Sequence, residues 1–377
     1  MSSAPKRTQR RALTLIRSFA NAVKSRFSSD KPQPRQLRRA QIPVFKHAHF
    51  IRRLPVELLA YVFVLSSEDD VMLPVRVSHV CKKWREIALR TPTLWRRITL
   101  SPEINMWKER IRRAGACTLD VQLVPSATTR WPNSARHYLD PVTVQWYMQP
   151  AISLIRRWRS LEIVFADYSP YLWNAALSGC CSRSQRAQAL ALVDLTLAYR
   201  ANDDTKEFCL FSGVAPRLRN VTLDGIRLTW LPSLFGNLTY LDYTHHGFSV
   251  EHQAVHDVIS MLEVSNRLVE LKICFPPKRR PATPTRSHPV TRRALLASLQ
   301  HLHLRVEGCD IPFELAHLMT LVHTPCLRSL RLIDVDRRHL SFPSLKSFFF
   351  VYAISRSLRV LRVEHGCEGS AHARPGA

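Results

Sequence analysis

Glycine is scarce, with ten residues in a chain of 377. Loops that cradle phosphate need clustered glycines so that backbone N–H groups can approach the ligand, and neither such a cluster nor a GxSxG elbow occurs. Catalysis on nucleotides or acyl groups is therefore unsupported. Cysteines number nine (Cys81, Cys117, Cys180, Cys181, Cys209, Cys274, Cys309, Cys326, Cys367) at irregular spacings without a CxxC pair. They spell neither a disulfide framework nor a zinc ribbon, and read as reduced thiols of an intracellular protein. Neither Cys180-Cys181 nor His245-His246 is matched by a second ligand pair, and His301 with His303 makes two ligands rather than a site. No metal, no cofactor and no catalytic residue is expected. No apolar run is long enough to cross a bilayer: the longest, Leu54 to Leu65, spans about twelve residues and contains Glu57, against the roughly 20 required.

Acidic residues are also in short supply, 29 against 55 Lys and Arg, for a formal net charge of +26. Residues 1–53 hold fourteen of the bases and a single acid, Asp30, so much of the excess precedes the first patterned segment. A tail of this kind is solvated and disordered when nothing binds it, and residues 1–48 are read that way, with nuclear import or nucleic-acid contact as functional alternatives. Within it Leu13, Ile16, Ala20, Val23 and Phe27 would share one helical face among bases. An amphipathic, Arg- and Ser-rich, acid-poor N-terminus also has the look of a mitochondrial presequence. The cytoplasm and nucleus are the expected locations, the mitochondrion the lesser alternative.

The first strong pattern begins at Leu54-Pro55. Proline suits the first helical position, and Glu57 in the first turn suits the helix dipole. Leu58, Leu59, Val62 and Phe63 follow as an apolar stripe, and the polar cluster Ser66-Ser67-Glu68-Asp69-Asp70 is expected to end the helix. Val77, Val80, Cys81, Trp84 and Ala88 then predict a second amphipathic helix, halted at Thr91-Pro92. Met72-Leu73-Pro74 leaves the start of that helix open. Leu94, Trp95 and Ile98 begin a further apolar segment. A bundle of about three short helices within some 50 residues cannot bury all these side chains, so part of the stripe must face a partner or a neighbouring domain.

The run Leu54-Pro55-Val56-Glu57-Leu58-Leu59, Val62-Phe63, then Val77 to Ala88 with Val80-Cys81 and Trp84, and finally Thr91-Pro92-Thr93-Leu94-Trp95, resembles the F-box, in the F-box-like form abundant in mushroom-forming fungi. The resemblance covers residues 49–100. It implies docking on the Skp-type adaptor of a cullin–RING ubiquitin ligase through Leu54, Pro55, Leu58, Leu59, Val62 and Phe63, with Val77, Val80, Cys81 and Trp84 supplying the rest, some of them as bundle core.

Beyond residue 101, Trp107 to Ala114 reads as a helix closed by Gly115, and Leu119, Val121 and Leu123 as a strand. The spacing L-x-x-L-x-L then recurs at Trp158/Leu161/Ile163, Leu192/Leu195/Leu197, Leu218/Val221/Leu223, Leu238/Leu241/Tyr243, Leu268/Leu271/Ile273, Leu299/Leu302/Leu304, Leu327/Leu330/Leu332, Leu345/Phe348/Phe350 and Leu358/Leu361/Val363. First positions advance by about 25 residues on average, in the range of leucine-rich repeats. Residues 101–365 thus resemble an irregular leucine-rich repeat. Asn or Cys is missing from its usual place three residues after the last apolar position, where Ile226 and Val335 stand in two units. An ordinary α/β core is the plainer alternative. The expected fold is mixed α/β: a small helical bundle, then an irregular leucine-rich-repeat solenoid with a curved parallel sheet.

In a repeat strand the residue between the last two apolar positions points to the opposite, concave face, where such proteins bind. These positions are Glu162, Thr196, Thr222, Asp242, Lys272, His303, Arg331, Phe349 and Arg362, acidic or neutral early and basic late. Asp242, Lys272, His303, Arg331, Phe349 and Arg362 are the candidate substrate contacts, and the basic end, with His301 and Arg305, is a candidate receiver for an acidic or phosphorylated segment. The stretch 276–293 is rich in Pro and Arg and reads as a surface loop containing Lys278-Arg279-Arg280-Pro281 and Thr283-Pro284; residues 366–377 read as a disordered tail. The combined reading is a non-catalytic substrate receptor of an SCF-type ligase, with an unknown protein as substrate. A basic-surface nucleic-acid binder or scaffold without a ligase role is the alternative.

Overall fold

A computed structural model describes residues 51, 54–124, 139–181, 187–276, 290–307, 310–335, 344–352 and 355–365. The readings on the basic tail, most of the Pro/Arg-rich loop, the residues after 365, Cys309 and Cys367 lie outside these. The chain divides into two compact units, residues up to Arg97 with Lys108–Cys117, and Ile98–Trp107 with residues from Thr118 onward.

The first unit is helical. Helix α1 (Val56–Asp69) opens after Pro55 and carries Glu57 in its first turn. It does not stop at the serines. The Ser67 hydroxyl donates to the Val64 carbonyl at 2.6 Å, returning its polar group to the helix instead of breaking it. Asp70 ends the helix in extended conformation, and its carboxylate accepts Met72 N–H at 2.9 Å and the Arg76 guanidinium at 2.6 Å. That turn starts helix α2 (Leu73–Ser78), in whose first turn Pro74 lacks an N–H that would have had no helical partner anyway.

The second amphipathic helix is in fact two. Cys81 is extended (φ −162°, ψ 168°) and separates α2 from α3 (Lys82–Leu89). Val77 and Trp84 still face the core, while Val80 and Cys81 in the break are exposed. Phe63 packs on Trp84 with ring centroids 4.9 Å apart. Trp95, in a 3-10 turn at Pro92–Trp95, donates its indole N–H to the Ala88 carbonyl at 2.8 Å. Helix α4 (Ile104–Ala114) ends at Gly115, whose φ of +54° suits a residue without Cβ. Its buried Arg110 donates to the carbonyls of Val71 at 2.6 Å and Arg97 at 3.2 Å, and burial lowers its pKa to about 10. The group remains charged at neutral pH.

The second unit holds a ten-stranded sheet. Its strands are β1 (Arg97–Thr99), β2 (Leu119–Leu123), β3 (Trp158–Val164), β4 (Asp194–Ala198), β6 (Asn220–Asp224), β8 (Tyr240–Thr244), β9 (Glu270–Phe275), β11 (His301–Val306), β13 (Ser329–Asp334) and β14 (Val360–His365), lying in chain order. Every pair from β2 onward is parallel. Two short parallel pairs, β5 (Glu207–Phe208) with β7 (Arg227–Leu228) and β10 (Ala294–Leu295) with β12 (Val322–His323), form separately. The returns carry helices α5 (Pro141–Ile152), α6 (Leu172–Leu177), α7 (Pro232–Phe235), α8 (Glu251–Val264), α9 (Phe313–Leu321) and α10 (Leu345–Val351).

The apolar spacing and the strand register coincide. Leu161, Leu195, Val221, Leu241, Leu271, Leu302, Leu330 and Leu361 are register partners in succession, and two residues on so are Ile163, Leu197, Leu223, Tyr243, Ile273, Leu304, Leu332 and Val363. All but the last of each row are buried. Val121 and Leu123 extend both rows to β2. Before most of these strands the first apolar residue closes a turn onto the carbonyl three residues back: Leu192 on Ala189, Leu218 on Ala215, Leu238 on Phe235, Leu299 on Leu296, Leu327 on Thr324 and Leu358 on Ser355.

One unit of the pattern fails. Leu345, Phe348 and Phe350 lie in helix α10, not in a strand. Phe348 stacks on Tyr352 at a centroid distance of 6.0 Å, an i, i+4 helical contact. Phe349 is accordingly absent from the row of outward positions, which corrects its assignment as a substrate contact.

Candidate functional site

Helix α1 carries two apolar stripes. Leu59 and Phe63, four residues apart, are 1% and 2% exposed and make the core of the helical unit. Leu58 and Tyr61, three apart, are 52% and 61% exposed, with half-buried Val62 beside them. Leu54, Pro55 and Val56 lead into the second stripe and are also exposed, as are Val80 and Cys81 at the α2–α3 break. The ten residues singled out for adaptor docking therefore separate. Leu54, Pro55, Leu58, Val80 and Cys81 present surface, Val62 is intermediate, and Leu59, Phe63, Val77 and Trp84 form the interior behind it. Val56 and Tyr61 belong to the same surface and were missed, although Tyr61 stands one turn after Leu58.

The second surface is the sheet face opposite the apolar rows. Gln122, Glu162, Thr196, Thr222, Asp242, Lys272, His303, Arg331 and Arg362 are successive register partners and form one row across nine strands. The early strands carry acids in pairs: Asp120 takes a two-pronged contact from Arg159 at 2.9 and 2.7 Å, Gln122 donates to Glu162 at 2.5 Å, and Asn220 donates to Asp194 at 2.7 Å.

The charge gradient along this row is largely cancelled by the protein itself. Arg305 reaches across β9 to grip both carboxylate oxygens of Asp242, and it also meets the Thr244 hydroxyl at 3.4 Å. Arg200, just past β4, bonds Asp224 at 2.8 Å and Glu307, just past β11, at 3.1 Å. Strands lie about 4.8 Å apart, so in a flat sheet β4 and β11 would be about 19 Å distant, further than two side chains reach. The strand ends converge on this face. Lys272 lies 3.9 Å from the Glu270 carboxylate and over the Tyr240 ring at 5.6 Å. Burial first, then Lys272 and Arg331, push the His303 pKa down to about 3, so this imidazole is neutral at physiological pH. Of the basic end, Arg305 is committed to Asp242 and His303 is uncharged; Arg331 and exposed Arg362 carry the remaining positive charge of the row.

His245, His246 and Asp257 bring three potential metal-ligand atoms within 4.8 Å of one another. Asp257, from α8, is the third group that the histidine pair lacked in sequence. The hydrogen bonds nevertheless occupy the cluster. Each imidazole Nδ1 accepts a backbone N–H two residues on, from Gly247 and Phe248, at 3.1 Å. The neutral rings then carry their proton on Nε2. His245 Nε2, 3.2 Å from Ser249 Oγ, donates to it, and the Ser249 hydroxyl in turn donates a hydrogen bond to the Asp257 carboxylate at 2.6 Å. Burial pulls His245 well below the ordinary histidine range and His246 to about 4. The cluster is a hydrogen-bonded clip between the end of β8 and α8.

Among the described residues no helix is long and apolar enough to cross a membrane. No curated protein matches the chain. Residues 51–101, the segment that carries both stripes of α1, match the F-box-like family.

Proposed function

We propose that this protein is a substrate-recognition subunit of an SCF-type cullin–RING ubiquitin ligase, docking on the Skp-type adaptor with its F-box-like segment and holding a target protein on its sheet. An F-box-like domain supports adaptor binding and a non-catalytic receptor role in general. The observation that carries the reading is the apolar surface Leu54, Pro55, Val56, Leu58, Tyr61 and Val80 standing outside a separately packed core. A helical unit of this size cannot bury all its apolar side chains within itself, and exposed apolar residues gathered on one helix face favour a partner's contact.

The second unit is read as an irregular leucine-rich repeat. Strands in chain order, a recurrent closing turn and in-register apolar rows support it, because each unit then completes its core only against its neighbours. The converging strand ends support a curved sheet. A receptor of this kind needs no chemistry of its own. It raises the effective concentration of the target beside the ubiquitin-loaded partner. Within the sheet face, Asp242 is a structural counter-ion, and Arg331, with Arg362 when the chain is monomeric, is the cation left for an acidic segment of the target.

The test is co-expression of the full chain with a Skp-type adaptor and purification in about 0.5 M salt, where a Debye length of about 4 Å removes non-specific attraction to the basic chain. A complex that survives, and that Leu58→Asp/Tyr61→Asp abolishes while the variant keeps its melting temperature, supports docking through the exposed stripe. Failure of two folded partners to co-purify refutes the ligase reading.

A further inference from the structure

Among the described residues, strand β14 is the last of the ten-stranded sheet and has no strand paired to its outer edge. In β11 and β13 the core-facing residues Leu302, Leu304, Leu330 and Leu332 are at most 1% exposed, whereas their register partners in β14, Leu361 and Val363, are 45% and 39% exposed. The apolar core continues to the edge and is cut off there. The backbone is equally unfinished. Arg359 and Val360 direct their N–H groups inward to the Arg328 carbonyl. In a parallel pair one residue turns both N–H and C=O to its neighbour and the next turns both away, so Leu361, Val363 and His365 present donors and acceptors outward. Val360–His365 holds no proline, lysine or bulge; the charges it carries on the edge are one of each sign, Arg362 and Glu364.

We propose that two copies of this chain associate through β14, antiparallel, about a two-fold axis at Val363. The register follows from charge and hydrogen-bond parity. With Val363 on the axis, Val363 faces its own copy and Leu361 faces His365, and all of these turn N–H and C=O outward, as a hydrogen-bonded pair requires. Arg362 then stands opposite Glu364 of the second copy, twice by symmetry, in the closer non-hydrogen-bonded positions where cross-strand charge pairs are strongest. Placing Arg362 or Glu364 on the axis would set like charges against each other, and placing Leu361 there would set Arg362 against Val360. Only the Val363 register pairs both charges while bringing Leu361 and Val363 of each copy together on the core side. This contact is isologous, so it closes as a dimer instead of growing into a filament.

The experiment is sedimentation velocity of the full chain over a range of concentrations at physiological ionic strength. Wild type should show a monomer–dimer equilibrium. Arg362→Glu alone and Glu364→Arg alone should each weaken it by about tenfold or more, since two attractive pairs become repulsive. The double reversal Arg362→Glu/Glu364→Arg should restore the affinity to within about threefold of wild type, because the same charges meet in exchanged places. Both side chains lie at the edge away from the core rows, and unchanged melting temperatures would show that the variants fold. A monomer at every concentration, a dimer indifferent to the single reversals, or a double variant as weak as the singles would each overturn the proposal.

Discussion

Asp242 and Arg305 offer the sharpest test of how the sheet face is organised. Their side chains are 15% and 16% exposed, and the guanidinium spans β9 to hold the carboxylate. Removing one partner of a fully buried pair destabilises by about 3–5 kcal/mol, since the other charge is left without compensation. Here Arg305 keeps the Thr244 hydroxyl within reach, and some water reaches both groups, so Asp242→Ala should lose about 2–3 kcal/mol. Arg305→Met should lose less, about 1–2 kcal/mol, because the abandoned carboxylate still has Lys272 as its register neighbour on β9. The double variant should resemble Arg305→Met, leaving a non-additivity of about 2–3 kcal/mol, the whole Asp242→Ala loss. Amide hydrogen exchange along β8, β9 and β11 reads this locally, without interference from the helical unit. Effects that add within about 0.5 kcal/mol would show a solvent-screened pair and would return Arg305 to the cations available for a ligand.

Three further outcomes are expected. Leu59→Ala should destabilise the helical unit by about 2–5 kcal/mol in chemical denaturation, whereas Leu58→Ala, one residue away on the exposed stripe, should stay within about 0.5 kcal/mol. Gly225→Ala should destabilise by about 3 kcal/mol or more: φ is +72°, a Cβ would stand 2.0 Å from the Tyr199 carbonyl oxygen, and the Gly225 carbonyl that Trp173 and Asn202 both use would have to move. A thermal melt would show it. His303 and His246 have folded pKa values of about 3 and 4, below the unfolded value near 6.5, so the unfolded chain takes up protons first. Stability from these groups is complete above about pH 6.5 and falls by about 1.4 kcal/mol per pH unit for each as pH drops toward 4. Melting temperatures from pH 7 to 5 should decline, and less steeply in His303→Gln.

Much of this architecture was legible because a strand repeat writes itself twice, in spacing and in register. Eight of the nine L-x-x-L-x-L units have their last two positions in the strands of the sheet, or at the edge of one, and the ninth shows why spacing alone is insufficient. Leu345, Phe348 and Tyr352 satisfy a helical period equally well. The following unit begins only 13 residues later, at Leu358, which leaves no room for a strand and its return. The split between α2 and α3 was hidden for a related reason: Val77, Val80, Trp84 and Ala88 fit one continuous period, and no proline or glycine marks the extended Cys81. On the sheet face, single residues predicted position but not charge state. Arg305 lies two residues beyond His303, on the same face as the outward row, and meets an acid more than sixty residues earlier in the chain, a pairing that only the fold creates.

The bridge from Arg200 to Glu307 has a mechanical corollary. An array in which each unit touches only its neighbours bends easily, as a stack of plates does. Arg200 joins the ends of two strands with three others between them, like a tie-rod across an arch. Flattening the arch would break that contact, a cost of at most about 1 kcal/mol at an arginine 58% exposed, so the tie biases the span between these strand ends without locking it. For the receptor proposed above, a target wider than this span would break the tie as it settles, and a narrower one would leave it whole.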